Sequence, residues 1–101
     1  MTFDNISVIK TANIFEGGKC VSHTVIFADG SKKTLGVMFP GSLHFDIGSP
    51  EVMELIKGVC RVRINGGEWQ NMQGGQSFTV PENGNFDMDI QETIHYVCHF
   101  G

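Results

Sequence analysis

Cys60-Arg61-Val62-Arg63-Ile64-Asn65-Gly66 is the stretch whose reading decides the fold. Its apolar residues Cys60, Val62 and Ile64 recur at every second position, with the two arginines between them. A period of two puts the apolar set on one face of an extended strand and the arginines on the other. Asn65-Gly66 then supplies two residues that accept positive φ, as a tight hairpin turn requires. Downstream, Phe86-Asp87-Met88-Asp89-Ile90 repeats the alternation with carboxylates on the polar face. In Ile94-His95-Tyr96-Val97-Cys98-His99-Phe100 the even positions form one face, and His95, Val97 and His99 the other.

Outward from these strands, turn signals recur at short intervals: Gly17-Gly18, Asp29-Gly30, Pro40-Gly41, Gly48-Ser49-Pro50, Gly74-Gly75 and Pro81-Glu82-Asn83-Gly84. The short segments between them are rich in Val, Ile, Phe and Thr, the pattern of an antiparallel sandwich or barrel. No window longer than about ten residues keeps a helical period. The best helical candidate, Glu51 to Lys57, runs into a strand-like stretch and reads as strand. Closing such strands into a barrel removes exposed edges and leaves an interior for a ligand.

The 101 residues fit one domain, residues 1–101, with no repeat or linker. A chain this short buries a modest share of its surface, so a homodimer is expected. Net charge is −4 and the seven Lys and Arg are scattered, which argues against nucleic-acid binding through phosphate neutralisation. Cys20, Cys60 and Cys98 are odd in number and far apart, so they read as reduced, buried thiols rather than a disulfide framework. The opening MTFDNISVIKTANIF lacks a charged-then-apolar leader, and no segment approaches the roughly 20 apolar residues of a membrane span. A cytoplasmic protein without membrane attachment is the expectation.

Among chemical groups, the four histidines His23, His44, His95 and His99 contain no HxH pair. His95 and His99 share a face but lie about 13 Å apart along a strand, too far to chelate one ion. No metal site is expected, although one assembled from distant strands stays open. There is no GxSxG elbow and no phosphate-binding GxxxxGK[ST] loop. A bound phosphate would fall to side chains such as Lys32, Lys33, Arg61 or Arg63, or to backbone N–H groups. Glu51 and Glu54 are spaced oddly, so at most one points inward. An inward carboxylate is costly unless it is hydrogen-bonded or serves a ligand. Glu51 can therefore bind sugar hydroxyls or oppose positive charge on a ribose, or else face water at a strand entrance. Phe39, Phe45, Phe78, Phe86 and Tyr96 can line a pocket and stack on a planar base, or serve as core.

Gly36-Val37-Met38-Phe39-Pro40-Gly41, Phe45, Pro50-Glu51-Val52-Met53-Glu54, Gly58 and Trp69 resemble the small pyrimidine/purine nucleoside phosphorylase family. The likeness continues through Gly75-Gln76-Ser77-Phe78-Thr79-Val80-Pro81, Phe86 and Tyr96-Val97-Cys98, and takes in the N-terminal half from Phe3 to Phe27 and Ala28 to Thr34. It implies an all-β, single-domain, cupin-like antiparallel barrel of jelly-roll type. It also implies phosphorolysis of purine and pyrimidine nucleosides to free base and pentose 1-phosphate, with phosphate as co-substrate and no cofactor. GGQSFTVPENGNF looks like the second cupin motif, with Phe86 where metal-binding cupins usually carry a histidine. His44 is the sole histidine near the first motif. The family often shows PGEYxF where this chain has Pro40-Gly41-Ser42-Leu43-His44-Phe45, a departure that alters specificity or rate if the replaced Glu or Tyr contacts substrate.

Phosphorolysis passes through a ribosyl cation-like state, so it needs nearby negative charge, a held phosphate and a proton donor for the leaving base. Within the resemblance, residue chemistry assigns Glu51 to the ribose hydroxyls or cation and Lys33 or Arg61 to phosphate. Phe45 and Phe86 take the base face, and Tyr96 or His44 the donor. The competing readings are a metal-free cupin that binds or senses a small metabolite without turnover, and a metal-dependent cupin enzyme.

Overall fold

The computed structural model describes residues 2–100. Nine strands follow in order: β1 (Ser7–Val8), β2 (Asn13–Phe15), β3 (Cys20–Ile26), β4 (Lys32–Met38), β5 (Gly41–Asp46), β6 (Glu51–Ile64), β7 (Gln70–Gln73), β8 (Ser77–Val80) and β9 (Asn85–Phe100). A 3₁₀ turn, Glu16–Gly18, separates β2 from β3. Every pairing is antiparallel. The expected turn at Asn65-Gly66 forms with φ of 52° and 69°, and the Gly67 N–H donates to the Ile64 carbonyl at 3.0 Å. The Glu51–Lys57 segment is strand, the first half of β6.

The all-β expectation holds, but a closed barrel does not form. The ladder runs β1-β3-β4-β9-β6-β7, with β2 on β3, β5 on β9 and β8 on β6, and its ends do not meet. The reason lies in β6 and β9, which are long enough to serve two half-sheets. The C-terminal part of β9 lies between β4 and the start of β6, while its N-terminal part lies between β5 and the end of β6. Register shifts between Leu55 and Cys60 mark the bend between these halves. Gly58 sits in it at φ 109°, and a Cβ there would meet the Thr93 carbonyl oxygen at 2.3 Å. Only glycine satisfies both the backbone angle and the close approach.

One core joins the two halves. Met38, Met53, Leu55 and Ile94 from one meet Leu43, Cys60, Val62, Met88 and Ile90 from the other. Each buried Leu, Ile, Val or Met among them contributes roughly 1.5–3 kcal/mol. The alternation in residues 60–64 and 86–90 faces the way it reads, with Cys60, Val62, Phe86, Met88 and Ile90 buried. All three cysteines are free and buried. Among the described residues, no helix is long and apolar enough to cross a membrane.

Candidate active site

Between the half-sheets lies a cavity of about 330 Å³. This is at the small end of the roughly 300–1,000 Å³ usual for small-molecule sites. Its wall is built by strand parity. Cys20, Ser22 and Thr24 project from β3, Thr34 and Met38 from β4, Glu51 and Met53 from β6, and Tyr96, Cys98 and Phe100 from β9. Across from them stand Phe45, Asp46, Ile47 and Phe86, with Phe15 from β2 at the rim.

The aromatic wall is ordered by ring contacts. Phe45 stacks on Phe86 with centroids 5.1 Å apart and an interplanar angle of 24°. Phe15 meets Phe45 edge-on at 6.3 Å, and Phe78 braces Phe86 from behind at 5.5 Å. Phe86, 2% exposed, is therefore core and wall at once. Phe78 belongs to the core, and Phe39 faces solvent.

The polar groups are few. Glu51 is half-buried at the start of β6, opposite Phe100 of β9. Burial raises its carboxyl above the usual carboxylate range, and the neighbouring Cys98 thiol partly opposes the shift. Glu54 takes the opposite face, as odd spacing requires, and accepts from His99 Nε2 at 2.8 Å. The Tyr96 hydroxyl lies 3.3 Å from Cys20 Sγ, deep in the cavity. Burial pushes this phenol upward, so it stays protonated as a donor. Asn13 Nδ2 donates to the hydroxyls of Ser22 and Thr24, both at 3.2 Å.

Of the residues singled out from sequence, the cavity brings together Glu51, Tyr96, Phe45 and Phe86. The other three lie elsewhere. His44, one residue out of phase with Phe45, projects to the outer face, where Nδ1 donates to Asp87 at 2.6 Å and Nε2 to Asp46 at 3.1 Å. These carboxylates hold its pKa above the ordinary histidine value. Arg61 donates twice to Asp89, at 3.2 and 2.7 Å, and lies over Trp69. Lys33 donates to His99 Nδ1 at 2.8 Å on the outer face of β4.

Sequence reasoning missed Asn13, Ser22, Thr24, Thr34 and Cys98. The signal was the inverted pattern of β3 and β4, where small polar residues at even positions face the cavity and Val21, Leu35 and Val37 lie on the other face.

The cavity's donors do not fit a metal centre. Among the described residues, no three His, Cys, Asp or Glu side chains converge. His44 and His99 are engaged by neighbours on outer faces.

Strand-built walls around an internal pocket define the cupin-like class. The fold matches an RmlC-like cupin with a double-stranded β-helix fold from Methanocaldococcus jannaschii, at TM-score 0.64 and 17% identity over 89% of this chain and 87% of that one. The family model described as pyrimidine/purine nucleoside phosphorylase matches residues 10–100. A pyrimidine/purine nucleoside phosphorylase of Cupriavidus pinatubonensis is 60% identical over 98% of this chain and 95% of its own length. A crystal structure of a protein of unknown function from Acinetobacter sp. ADP1 superposes at TM-score 0.95 with 48% identity, covering 99% of this chain and 98% of that one. The chain belongs to the pyrimidine/purine nucleoside phosphorylase family of enzymes.

Proposed function

We propose that the protein phosphorolyses both purine and pyrimidine nucleosides to free base and pentose 1-phosphate. The observation that carries this reading is a nucleoside-sized cavity with a stacked Phe45–Phe86 wall and the Glu51 carboxylate at its mouth. A phosphate oxygen attacks the anomeric carbon as the C–N bond breaks, and the bonding pair leaves with the base. Glu51 opposes the positive charge that grows on the ribose, and its carboxylate accepts from ribose hydroxyls. Tyr96, a buried phenol that keeps its proton, donates a hydrogen bond to the leaving base, which takes up the proton given up by the attacking hydrogen phosphate.

Broad specificity follows from the wall chemistry. Phe45, Phe86, Ile47 and Met53 offer contact surface without groups that read a base edge, and stacking on an aromatic ring tolerates any base. We assign the enzyme to the cytoplasm as a homodimer. Its three free thiols suit a reducing compartment. Phe15 and Phe100, 49% and 48% exposed, both line the cavity and leave apolar surface there for a second copy to cover.

The test is chromatographic release of hypoxanthine from inosine and uracil from uridine, with and without phosphate. Release of both bases, dependent on phosphate, is expected. Release independent of phosphate, or none at high enzyme concentration, refutes the reading. Stabilisation by nucleosides without turnover would replace it with a binding protein.

A further inference from the structure

The cavity lining contains carboxylates but no lysine or arginine. A phosphate co-substrate therefore needs a cation from just outside it. We propose that Lys32, with the hydroxyls of Thr24 and Thr34, forms the phosphate subsite; this rests on the phosphorolysis reading above.

Three observations converge on that place. A second groove, lined by Thr24, Ser31, Lys32, Thr34, Phe100 and Ile9, opens beside the cavity and shares Thr24, Thr34 and Phe100 with it. Strand parity selects Lys32 over Lys33. Residues 32, 34 and 38 of β4 line the cavity or its groove, and Lys33 turns to the other face, where it is held by His99. Among the described residues, Lys32 forms no ion pair or side-chain hydrogen bond. Arg61 and Arg63, by contrast, are engaged by Asp89 and Asp87 on the opposite half-sheet.

Both hydroxyl-bearing threonines line the cavity and the groove. Thr24 and Thr34 face each other across β3 and β4 in register. Thr24 already accepts from Asn13 Nδ2, so its own proton is free to donate elsewhere. Ser31 does not share that role, because its hydroxyl donates to Asp29 at 2.6 Å.

The placement also suits the reaction. Lys33 pairs with His99, so the next step of the ladder brings Lys32 beside Phe100, which on its other side pairs with Glu51. Lys32 and Glu51 thus flank Phe100 two strand spacings apart, about 10 Å. A pentose ring fits between a phosphate on one and its cationic face toward the other.

The experiment compares wild type with Lys32→Met, Lys32→Arg, Lys33→Met and Thr24→Val. It measures the KM for phosphate and for inosine separately, and the binding of inorganic phosphate by calorimetry without nucleoside. Loss of one charge-assisted contact predicts a 10- to 100-fold weaker phosphate affinity in Lys32→Met, roughly. The KM for inosine should stay within about threefold, with rescue by Lys32→Arg and a smaller loss in Thr24→Val. Unchanged phosphate affinity in Lys32→Met, or a loss confined to Lys33→Met, overturns the subsite. If wild type binds phosphate through Lys32 yet releases no base, the subsite stands and the phosphorolysis reading falls.

Discussion

Replacing Glu51 with Gln keeps the side chain's shape and removes its negative charge. Two unit charges about 4 Å apart interact by roughly 4 kcal/mol at an effective dielectric near 20. That dielectric suits Glu51, which is half-buried at the cavity mouth. With about half a positive charge on the ribose in the transition state, the loss is about 2 kcal/mol, or roughly 30-fold in kcat. The assay is kcat for inosine and uridine at saturating phosphate, across pH. Because burial raises the pKa of Glu51 and the anion is the working form, wild-type activity falls on the acid side from a higher pH than an ordinary carboxylate would give. Glu51→Gln removes that limb. Stability moves the other way. A raised folded pKa favours the protonated state below the ordinary glutamate value, and that benefit is lost as pH rises through the raised value. The neutral glutamine therefore melts no lower than wild type at neutral pH, which separates lost chemistry from misfolding. A variant within twofold of wild type, with the acid limb intact, would refute the assignment.

Phe45→Ala removes the stacking surface without emptying the core and should raise KM for inosine and uridine alike, by roughly 10-fold or more, in steady-state kinetics. An effect on one nucleoside alone contradicts the unspecific wall. Gly58→Ala places a Cβ 2.3 Å from the Thr93 carbonyl at φ 109°. Backbone strain and the clash together cost about 3 kcal/mol or more, and calorimetry should record a Tm at least about 12 °C lower. The exposed His44–Asp87 pair sets a pH window for stability. Its contribution falls as pH drops through the lowered pKa of Asp87 and as pH rises through the raised pKa of His44. In His44→Gln the alkaline-side decline in a plot of Tm against pH should disappear.

Strand identity was legible wherever one face met the core and the other met water. Residues 60–64 and 86–90 alternate cleanly because their inward side packs in the core, while Arg61, Arg63, Asp87 and Asp89 pair on the outer side. The same alternation already turned Arg61 away from the interior, so its assignment to phosphate conflicted with its own strand's pattern. The Asn65-Gly66 turn was equally local, since positive φ is a property of the residues themselves.

β3 and β4 read poorly for the opposite reason. Their inner side lines a ligand cavity and is polar, while Val21, Leu35 and Val37 look outward. Hydrophobicity therefore points to the wrong face of the strand that carries Lys32 and Lys33. Only the pairing register across β3, β4, β9 and β6 decides which lysine lies on the cavity's side of the strand. Open ends of the ladder were likewise beyond local pattern, because closure depends on where β6 and β9 bend rather than on the residues within each strand. The chain's own sequence determined its strands, its tight turn and its family likeness. Tertiary structure alone decided the cavity's membership, since a pocket is made by side chains far apart in sequence that share one face.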